Sequence, residues 1–249
     1  PRTRVSTAAG QLLQMPSTRG TEVDTKLLTL TPDNPERGLP VIQGVYVLFG
    51  APGTPGQAPR AVLDGVELTG LRTSAVSALG VRLLADASPR HLVVVGTGVQ
   101  AWEHALTFQD VFGLERVSVV GRDADRAAAL AARIEAELGV TASTADSEAV
   151  AEADVVVTCT AATAPLFDGT LVPEHATVVA MGSHTTDARE TDDALARRAT
   201  VAVESRDSAA REAGDVTLAV ASGALAGIED TVTLAELVAG TARRREGAP

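Results

Sequence analysis

The pattern of apolar and polar positions divides the chain into two parts of different character. From residue 91 onward, short apolar runs alternate with segments in which apolar residues recur at helical spacing. The predicted strands are 91–95, 117–120, 155–159, 177–181 and 200–203, with a weaker one at 140–144, and the predicted helices lie near 100–112, 124–138, 147–152 and 190–198. Continuous apolar runs are typical of strands buried on both faces, so this alternation predicts an α/β fold with a doubly wound parallel sheet of Rossmann type.

The residues before this region show a different pattern. The predicted elements are strands at 26–30, at 41–49 and from Arg60, a hairpin loop rich in Gly and Pro at 51–59, and a helix near 68–85. The segment Thr31-Pro-Asp-Asn-Pro is a strong turn signal between the first two strands, and Thr69 is a possible N-cap of the helix. These elements predict a smaller α+β domain built on an antiparallel sheet.

A glycine turn, Gly96-Thr97-Gly98, follows the first strand of the α/β part. Gly96 allows a tight turn, and Gly98 lets a pyrophosphate approach bare backbone where the next helix begins, at Val99 and Gln100. The pattern favours a dinucleotide site over its alternative, an ordinary structural strand-turn-helix. Ligands of such sheets bind at the carboxyl ends of the strands, so residues that follow the other strands should line the same crevice. These residues are Gly121, Thr160 and Gly182.

The end of the second strand bears on the choice of nucleotide. NAD-binding units usually carry an acidic residue there, which accepts the ribose hydroxyls, whereas this chain has Gly121 followed by Arg122. Arg122 could pair bidentately with a 2′-phosphate, so NADP(H) is preferred and NAD(H) remains possible. Alternatively, Arg122 is an ordinary exposed arginine and Asp123 reaches a ribose.

Composition narrows the class of protein. The net charge of −11 argues against nucleic acid or an anionic membrane as the main partner, and no apolar run is long enough to span a membrane. The single cysteine, Cys159, and the absence of zinc-ligand spacing fit a cytoplasmic protein without a metal site. Of the 21 basic residues, only Lys26 is a lysine. A lone lysine either survives by chance or is needed for a compact ammonium that can lose its proton.

Several further segments together resemble one protein family. They are Met15-Pro16, Lys26, Asn34, Gly38-Leu39-Pro40, Leu68-Thr-Gly-Leu-Arg-Thr73, the glycine turn, Ala153-Asp-Val-Val-Val-Thr-Cys-Thr160, and Met181-Gly-Ser-His-Thr-Thr-Asp-Ala-Arg-Glu-Thr-Asp-Asp193. This set resembles the ornithine cyclodeaminase/mu-crystallin family of nicotinamide-dependent proteins over nearly the whole chain. The resemblance implies a homodimer, and hydride transfer on small α-amino or α-imino acids. It also implies a substrate and dimerisation domain over 1–85, to which the tail 206–249 returns, around a nucleotide-binding domain over 86–205.

The resemblance also assigns roles to individual residues. Arg2, Lys26 and Arg72 match the family's cluster that binds the substrate carboxylate, and Lys26 is in addition a candidate proton donor. Two cations could hold a carboxylate while a third stays beside the C=N bond. The cofactor-binding residues implied beyond those named above are Thr73, Ala161 and Met181.

One departure affects the expected reaction. True cyclodeaminases carry an aspartate in the glycine-rich turn after the fifth strand, where this chain has His184. A histidine could donate a proton to an imine nitrogen, or it could be a solvated loop residue. The sequence therefore predicts an NADP(H)-dependent reductase of small α-imino acids such as Δ1-pyrroline-2-carboxylate or Δ1-piperideine-2-carboxylate. The alternatives are an ornithine cyclodeaminase or alanine dehydrogenase, and an NADPH-dependent binding protein of the mu-crystallin type.

Overall fold

The computed structural model describes residues 3–20, 22–50, 56 and 58–249. The chain divides into two compact units, Pro1–Thr73 and Ser74–Pro249, and the division falls inside one helix. The functional division expected from the family resemblance, with boundaries at 85 and 205, stays a prediction. None of the described helices has the length and apolar character that crossing a membrane requires.

The first unit contains a five-stranded antiparallel sheet in which each strand pairs with the next along the chain. The strands are β1 (Thr3–Thr7), β2 (Gly10–Arg19), β3 (Glu22–Leu30), β4 (Ile42–Phe49) and β5 (Pro59–Asp64), with a 3-10 turn at Asn34–Arg37. The sequence pattern predicted β4, β5 and the second half of β3 but neither β1 nor β2. β1 is exposed throughout and β2 buries only Leu13, so neither strand carries the alternation that predicts a half-buried strand.

Helix α1 (Gly65–Leu84) begins in the first unit, three residues before the predicted start. The reason is its N-cap: the Asp64 carboxylate accepts hydrogen bonds from the backbone N–H groups of Val66 and Glu67, at 2.7 and 3.1 Å. Thr69 is therefore not the cap. Its hydroxyl lies inside the helix and donates to the carbonyl of Gly65 at 2.5 Å.

The second unit contains a five-stranded parallel sheet in the order β10-β9-β6-β7-β8. The elements are β6 (His91–Val95), α2 (Val99–Phe112), β7 (Arg116–Val120), α3 (Ala124–Leu138), β8 (Thr141–Ala145), β9 (Val155–Thr158) and β10 (Thr177–Ala180), with 3-10 turns at Ser147–Glu152 and Gly169–Leu171. This strand order is that of a Rossmann fold, and the prediction of a doubly wound parallel sheet is confirmed. The order reverses between β6 and β9, where such folds bind their ligands.

The core of the second unit lies on both faces of this sheet. β6 and β9 are buried along their whole length, which explains their continuous apolar sequence. On one face they pack against α2 and α3, including Trp102, Phe108 and Ile134. The guanidinium of Arg133 lies 3.5 Å above the Trp102 ring, so a cation–π contact covers the tryptophan.

Three predictions for the second unit were wrong in detail. The segment 200–203 is not part of the main sheet, because β11 (Ala202–Val203) pairs with β12 (Val232–Thr233) in a separate two-stranded sheet. The predicted helix at 147–152 is a 3-10 turn, and the helix predicted at 190–198 begins only at Asp193, since Asp192 is its N-cap. The remaining elements are α4 (Asp193–Arg198), α5 (Arg206–Glu212), α6 (Gly214–Ala221), a 3-10 turn at Ile228–Asp230 and α7 (Leu234–Val238).

Candidate active site

The glycine turn lies at the carboxyl end of β6. Gly96 has a φ of 124°, and a Cβ atom there would lie 2.6 Å from the carbonyl oxygen of Cys159, so only glycine fits this position. Gly98 is the N-cap residue of α2, where no described side chain caps the helix. A Cβ atom on Gly98 would have no described atom within 4 Å. The first turn of α2 therefore presents open backbone N–H groups to an anion.

The end of β7 packs against this turn. A Cβ atom on Gly121 would lie 2.7 Å from Cγ2 of Thr97 and 3.3 Å from Cβ of Ala127. Glycine at 121 thus lets the end of β7 approach both the turn and α3. The structure brings Gly121 and Thr97 together, as expected for residues of one crevice.

Arg122 and Asp123 follow Gly121 and differ in how the fold uses them. Oδ1 of Asp123 caps α3 by accepting hydrogen bonds from the N–H groups of Asp125 and Arg126, both at 3.1 Å, which leaves Oδ2 for another partner. Arg122 is exposed and forms no hydrogen bond or ion pair with any residue that the structure describes. Its guanidinium is available to pair with a phosphate.

A buried carboxylate joins the loops that follow β9 and β10. Glu190 is 0% exposed, and its Oε1 accepts hydrogen bonds from the N–H and the hydroxyl of Thr160, at 2.8 and 2.6 Å. Its Oε2 accepts from the hydroxyl of Thr158 and the N–H of Gly182, both at 2.7 Å. A Cβ atom on Gly182 would lie 2.1 Å from the carbonyl oxygen of Thr160, so glycine is required for this approach. Two predicted crevice residues, Thr160 and Gly182, are thus held by one side chain.

The sequence pattern did not single out Glu190. Residue 190 falls at the start of the helix predicted over 190–198, and no role is predicted for its side chain. The available signal was the pair of threonines at 158 and 160, at and just after the end of a buried strand, whose hydroxyls need hydrogen-bond partners. The backbone at Glu190 is fixed as well, because Oδ1 of Asp215 accepts from the N–H groups of Glu190 and Thr191, at 3.0 and 2.8 Å.

The other predicted residues of this edge are more open. Ala161 is exposed after Thr160, and Met181 is half-buried directly after β10. His184 is exposed, with Nδ1 3.2 Å from the carbonyl oxygen of Gly182. The imidazole is thus held by the same turn that Glu190 fixes.

The predicted substrate-binding residues belong to the first unit. Nζ of Lys26, on β3, donates a hydrogen bond to Oγ1 of Thr69 on α1 at 3.4 Å. Arg72 lies three residues after Thr69, hence on the same side of the helix, and it is exposed, while Thr73 is half-buried. The structure therefore brings Lys26 to the helix segment that carries Arg72. Arg2, the third predicted cation, lies outside the described residues.

Comparison with known proteins identifies the family. A family model described as the ornithine cyclodeaminase/mu-crystallin family matches residues 1–248. The chain belongs to the ornithine cyclodeaminase/mu-crystallin family. The resemblance seen in the sequence is thereby confirmed.

Relatives within the family include reductases. The chain is 36% identical over 235 residues to the Δ1-pyrroline-2-carboxylate/Δ1-piperideine-2-carboxylate reductase of Azospirillum brasilense, covering 94% of this chain and 72% of that protein. It is 36% identical over 195 residues to the ketimine reductase mu-crystallin of Mus musculus, covering 78% of this chain and 60% of that protein. The chain thus spans about 60–72% of the length of these curated relatives.

Solved structures of similar proteins share the fold over nearly the whole chain. The Δ1-pyrroline-2-carboxylate reductase of Thermococcus litoralis, in complex with NADH and L-proline, matches with a TM-score of 0.87 at 27% identity, covering 98% of this chain and 77% of that one. An archaeal alanine dehydrogenase dimer with bound NAD matches with a TM-score of 0.88 at 26% identity, covering 99% and 75%. Nicotinamide dinucleotides are therefore bound by proteins of this fold.

The residues at the glycine turn fit such a dinucleotide. Besides the open N-terminus of α2, the Oε1 atom of Gln100 is buried and has no hydrogen-bond partner among the residues described. A buried amide oxygen is unfavourable without a donor, so this atom marks a place for a polar group of a ligand. Gly98, Gln100 and Arg122 are chemically suited to a dinucleotide, since they offer open backbone N–H groups, a buried acceptor and an exposed guanidinium.

Two titratable residues beside the crevice, His104 and Cys159, are enclosed by protein groups that change their pKa values. His104 is fully buried, with Nδ1 2.7 Å from the carbonyl oxygen of Gln100 and Nε2 2.9 Å from Oγ of Ser77, and burial lowers its pKa. Burial, together with the charge of Glu190, raises the pKa of the Cys159 thiol. The imidazole is therefore neutral and the thiol protonated near neutral pH.

Proposed function

We propose that the protein is an NADP(H)-dependent reductase of small cyclic α-imino acids of the Δ1-pyrroline-2-carboxylate or Δ1-piperideine-2-carboxylate type. The observation that carries the proposal is the match over 98% of the chain to a Δ1-pyrroline-2-carboxylate reductase bound to NADH and L-proline. L-proline is the compound formed when a hydride adds to the imine carbon of that substrate and a proton adds to its nitrogen. The 36% identity to the A. brasilense reductase supports the same substrate class.

The substrate carboxylate is bound by cations of the first unit in this proposal. Arg72 offers a planar guanidinium that can hold both carboxylate oxygens, and Arg2 is expected to assist it. Lys26 is oriented by its hydrogen bond to Thr69 and supplies a compact ammonium. The scarcity of lysine in the chain supports a specific need for that group.

The cofactor is bound by the second unit. When bound, the nicotinamide supplies the hydride. Gly96, Thr97, Gly98, Val99 and Gln100 form the pyrophosphate turn, and Arg122 pairs with a 2′-phosphate. The exposed guanidinium of Arg122, and the lack of a free carboxylate at Gly121, favour NADP(H) over NAD(H).

The proton for the imine nitrogen comes from Lys26 or His184. Lysine and histidine are residue types that exchange protons in enzymes, whereas an arginine stays protonated. Ornithine cyclisation is less favoured, because His184 replaces the aspartate that the family's cyclodeaminases use in this turn. A neutral or cationic imidazole cannot stabilise a developing positive charge as a carboxylate does.

The test is to follow NADPH consumption with Δ1-pyrroline-2-carboxylate and with Δ1-piperideine-2-carboxylate. A parallel reaction contains ornithine and NAD and is assayed for ammonia. Rapid loss of NADPH without ammonia is the expected result. Ammonia and proline from ornithine would instead establish a cyclodeaminase, and ligand binding without turnover of either mixture would favour a mu-crystallin-like binding protein.

Three further expectations belong to the same proposal. Homodimerisation follows from the family resemblance, and one similar structure is a dimer. A cytoplasmic location follows from the single cysteine. The division into a substrate domain over 1–85 and 206–249 and a nucleotide domain over 86–205 is part of the same proposal and follows from the family resemblance.

A further inference from the structure

Glu190 is the most completely buried acid of the described residues, and the reaction proposed above gives it no role. Its two oxygens accept four hydrogen bonds, two from Thr160 and one each from Thr158 and Gly182. Burying a charged carboxylate is unfavourable unless it is fully hydrogen-bonded, and here the four donors compensate for the lost hydration. The buried carboxylate of Glu190 therefore ties the loop after β9 to the loop after β10.

The two loops lie at one particular part of the crevice. A Rossmann sheet consists of two mononucleotide-binding halves, and the dinucleotide lies across the point where the strand order reverses. The glycine turn after β6 and the end of β7 belong to the half that holds the pyrophosphate and the adenosine. Thr160 and Gly182 follow β9 and β10, which form the other half. Each described donor to the Glu190 carboxylate lies in this half.

We propose that Glu190 is a positioning residue that fixes the loops after β9 and β10 for the nicotinamide half of the cofactor. It acts through Thr160 and Gly182 and does not itself touch the substrate. The inference rests on the proposed function, because it requires that a nicotinamide dinucleotide binds in this crevice.

The chemistry of the contacts indicates which substitution is informative. In Glu190→Gln, one side-chain atom becomes an NH2 group, which faces either Thr160 or the pair Thr158 and Gly182. A hydroxyl can rotate to become an acceptor, but a backbone N–H cannot. The N–H of Thr160 or of Gly182 would thus face another donor, and the loop that carries it would move away.

The experiment compares two ligands in binding titrations without substrate. One is the reduced dinucleotide that the wild type binds more tightly, NADPH or NADH. The other is the matching fragment without nicotinamide, 2′-phospho-ADP-ribose or ADP-ribose. For Glu190→Gln we expect the Kd of the dinucleotide to rise about tenfold and that of the fragment to stay within about twofold.

Asp192→Asn is the matched control. Asp192 is also a hydrogen-bonded carboxylate of this segment, but it accepts from the N–H groups of Gly169 and Leu195, not from Thr158, Thr160 or Gly182. The Asp192→Asn variant should have a lower melting temperature, but the Kd of the dinucleotide and the Kd of the fragment should change by the same factor. If Glu190→Gln does not fold, Thr158→Val removes one of the four hydrogen bonds and should raise the dinucleotide Kd about threefold, again selectively.

The outcomes separate this inference from the proposed function. Equal weakening of both ligands, or a lower melting temperature with both affinities unchanged, would mean that Glu190 only stabilises the fold. A wild-type protein that binds neither dinucleotide would overturn the proposed function, and this inference with it. A kinetic split gives a second criterion: the variant should raise the KM for the dinucleotide more than the KM for the imino acid.

Discussion

Nζ of Lys26 donates a hydrogen bond to Oγ1 of Thr69, and the Thr69 hydroxyl in turn donates to the carbonyl of Gly65. Because the hydroxyl proton is committed to the helix backbone, the lone pairs of the oxygen are directed toward the ammonium. The only lysine of the chain is thereby oriented by a threonine in the LTGLRT segment, one turn before Arg72.

Replacing Lys26 by arginine should reduce turnover strongly while retaining the charge. A guanidinium does not release its proton near neutral pH, so we expect kcat to fall by about 100-fold if Lys26 is the proton donor. Steady-state kinetics with the imino acid would measure this effect. The control is Arg4→Lys, which exchanges the same two residue types at an exposed position on β1. It should leave kcat unchanged.

His184→Gln distinguishes the two candidate donors. If His184 supplies the proton, the His184→Gln variant should have a kcat about 100-fold lower than wild type. The Lys26→Arg variant should then have a kcat close to that of wild type. Normal kcat in both single variants would exclude both residues as the essential donor.

Arg72→Ala should weaken substrate binding. Loss of a charge-assisted hydrogen bond to a carboxylate costs about 2 kcal/mol, which corresponds to a rise of about 30-fold in the KM for the imino acid. Arg72→Lys should recover part of this loss, because it keeps the charge without the planar fork. Arg82→Ala, an exposed arginine near the end of the same helix, should have no effect. An unchanged KM in Arg72→Ala would show that the carboxylate binds elsewhere.

Arg122→Ala tests the choice of nucleotide. If Arg122 binds the 2′-phosphate, the ratio of kcat/KM for NADPH to that for NADH should fall by about 30-fold, mainly through the KM for NADPH. Arg116→Ala is the matched control, since Arg116 lies at the opposite end of β7 and pairs with Glu152 at 2.9 Å on the surface. A preference for NADPH that survives in Arg122→Ala would assign the discrimination to another residue.

Glu236→Gln should lower stability in a pH-dependent manner. The hydrogen bonds from Arg206 and from the N–H of Thr233 lower the pKa of Glu236 to about 2, from an ordinary value of 4.5. A carboxylate whose pKa is lowered by folding stabilises the folded state above its unfolded pKa, and this contribution is lost as the pH falls from about 4.5 to about 2.

Thermal unfolding between pH 7 and pH 2.5 would measure this effect. The difference in melting temperature between wild type and Glu236→Gln should be largest at neutral pH and should shrink in the acid range. Glutamine can still form the capping box with Thr233, but its NH2 group cannot accept the second hydrogen bond from Arg206. The part of the difference that changes with pH therefore reports the charge, and the part that persists in acid reports the lost hydrogen bond. Glu229→Gln is the control, because Glu229 is 86% exposed and lies 3.8 Å from Arg206. A gap that is independent of pH would contradict the assignment.

The sequence predicted those parts of the fold that depend on local pattern. The buried strands β6 and β9 have uniform apolar sequences, and the turn at Gly96 has a requirement that only glycine meets. It did not predict β1 and β2, since most of their side chains are exposed and nothing in the local pattern separates them from a loop.

The candidate site shows the same limit. Gly98, Gly121 and Gly182 were recognised because each follows a predicted strand, whereas the partner of Gly182 and Thr160 is Glu190, 30 residues after Thr160. No local pattern indicates that pairing, because it arises from the tertiary placement of the segment before α4. Asp123 shows the converse case: its position at the end of β7 suggested a ribose contact, while one of its oxygens caps α3.

Trp102, whose ring is covered by Arg133, gives the second unit a tryptophan fluorescence signal that the first unit lacks. Trp102 is the single tryptophan of the chain, it is 9% exposed, and it lies in the first turn of α2, directly behind the glycine turn. Its emission therefore reports on one hydrophobic core alone, and a loss of that signal on heating marks the unfolding of this unit. The nicotinamide of a reduced dinucleotide bound in the crevice would accept excitation energy from the indole, so quenching of the Trp102 emission would report cofactor binding without an added label.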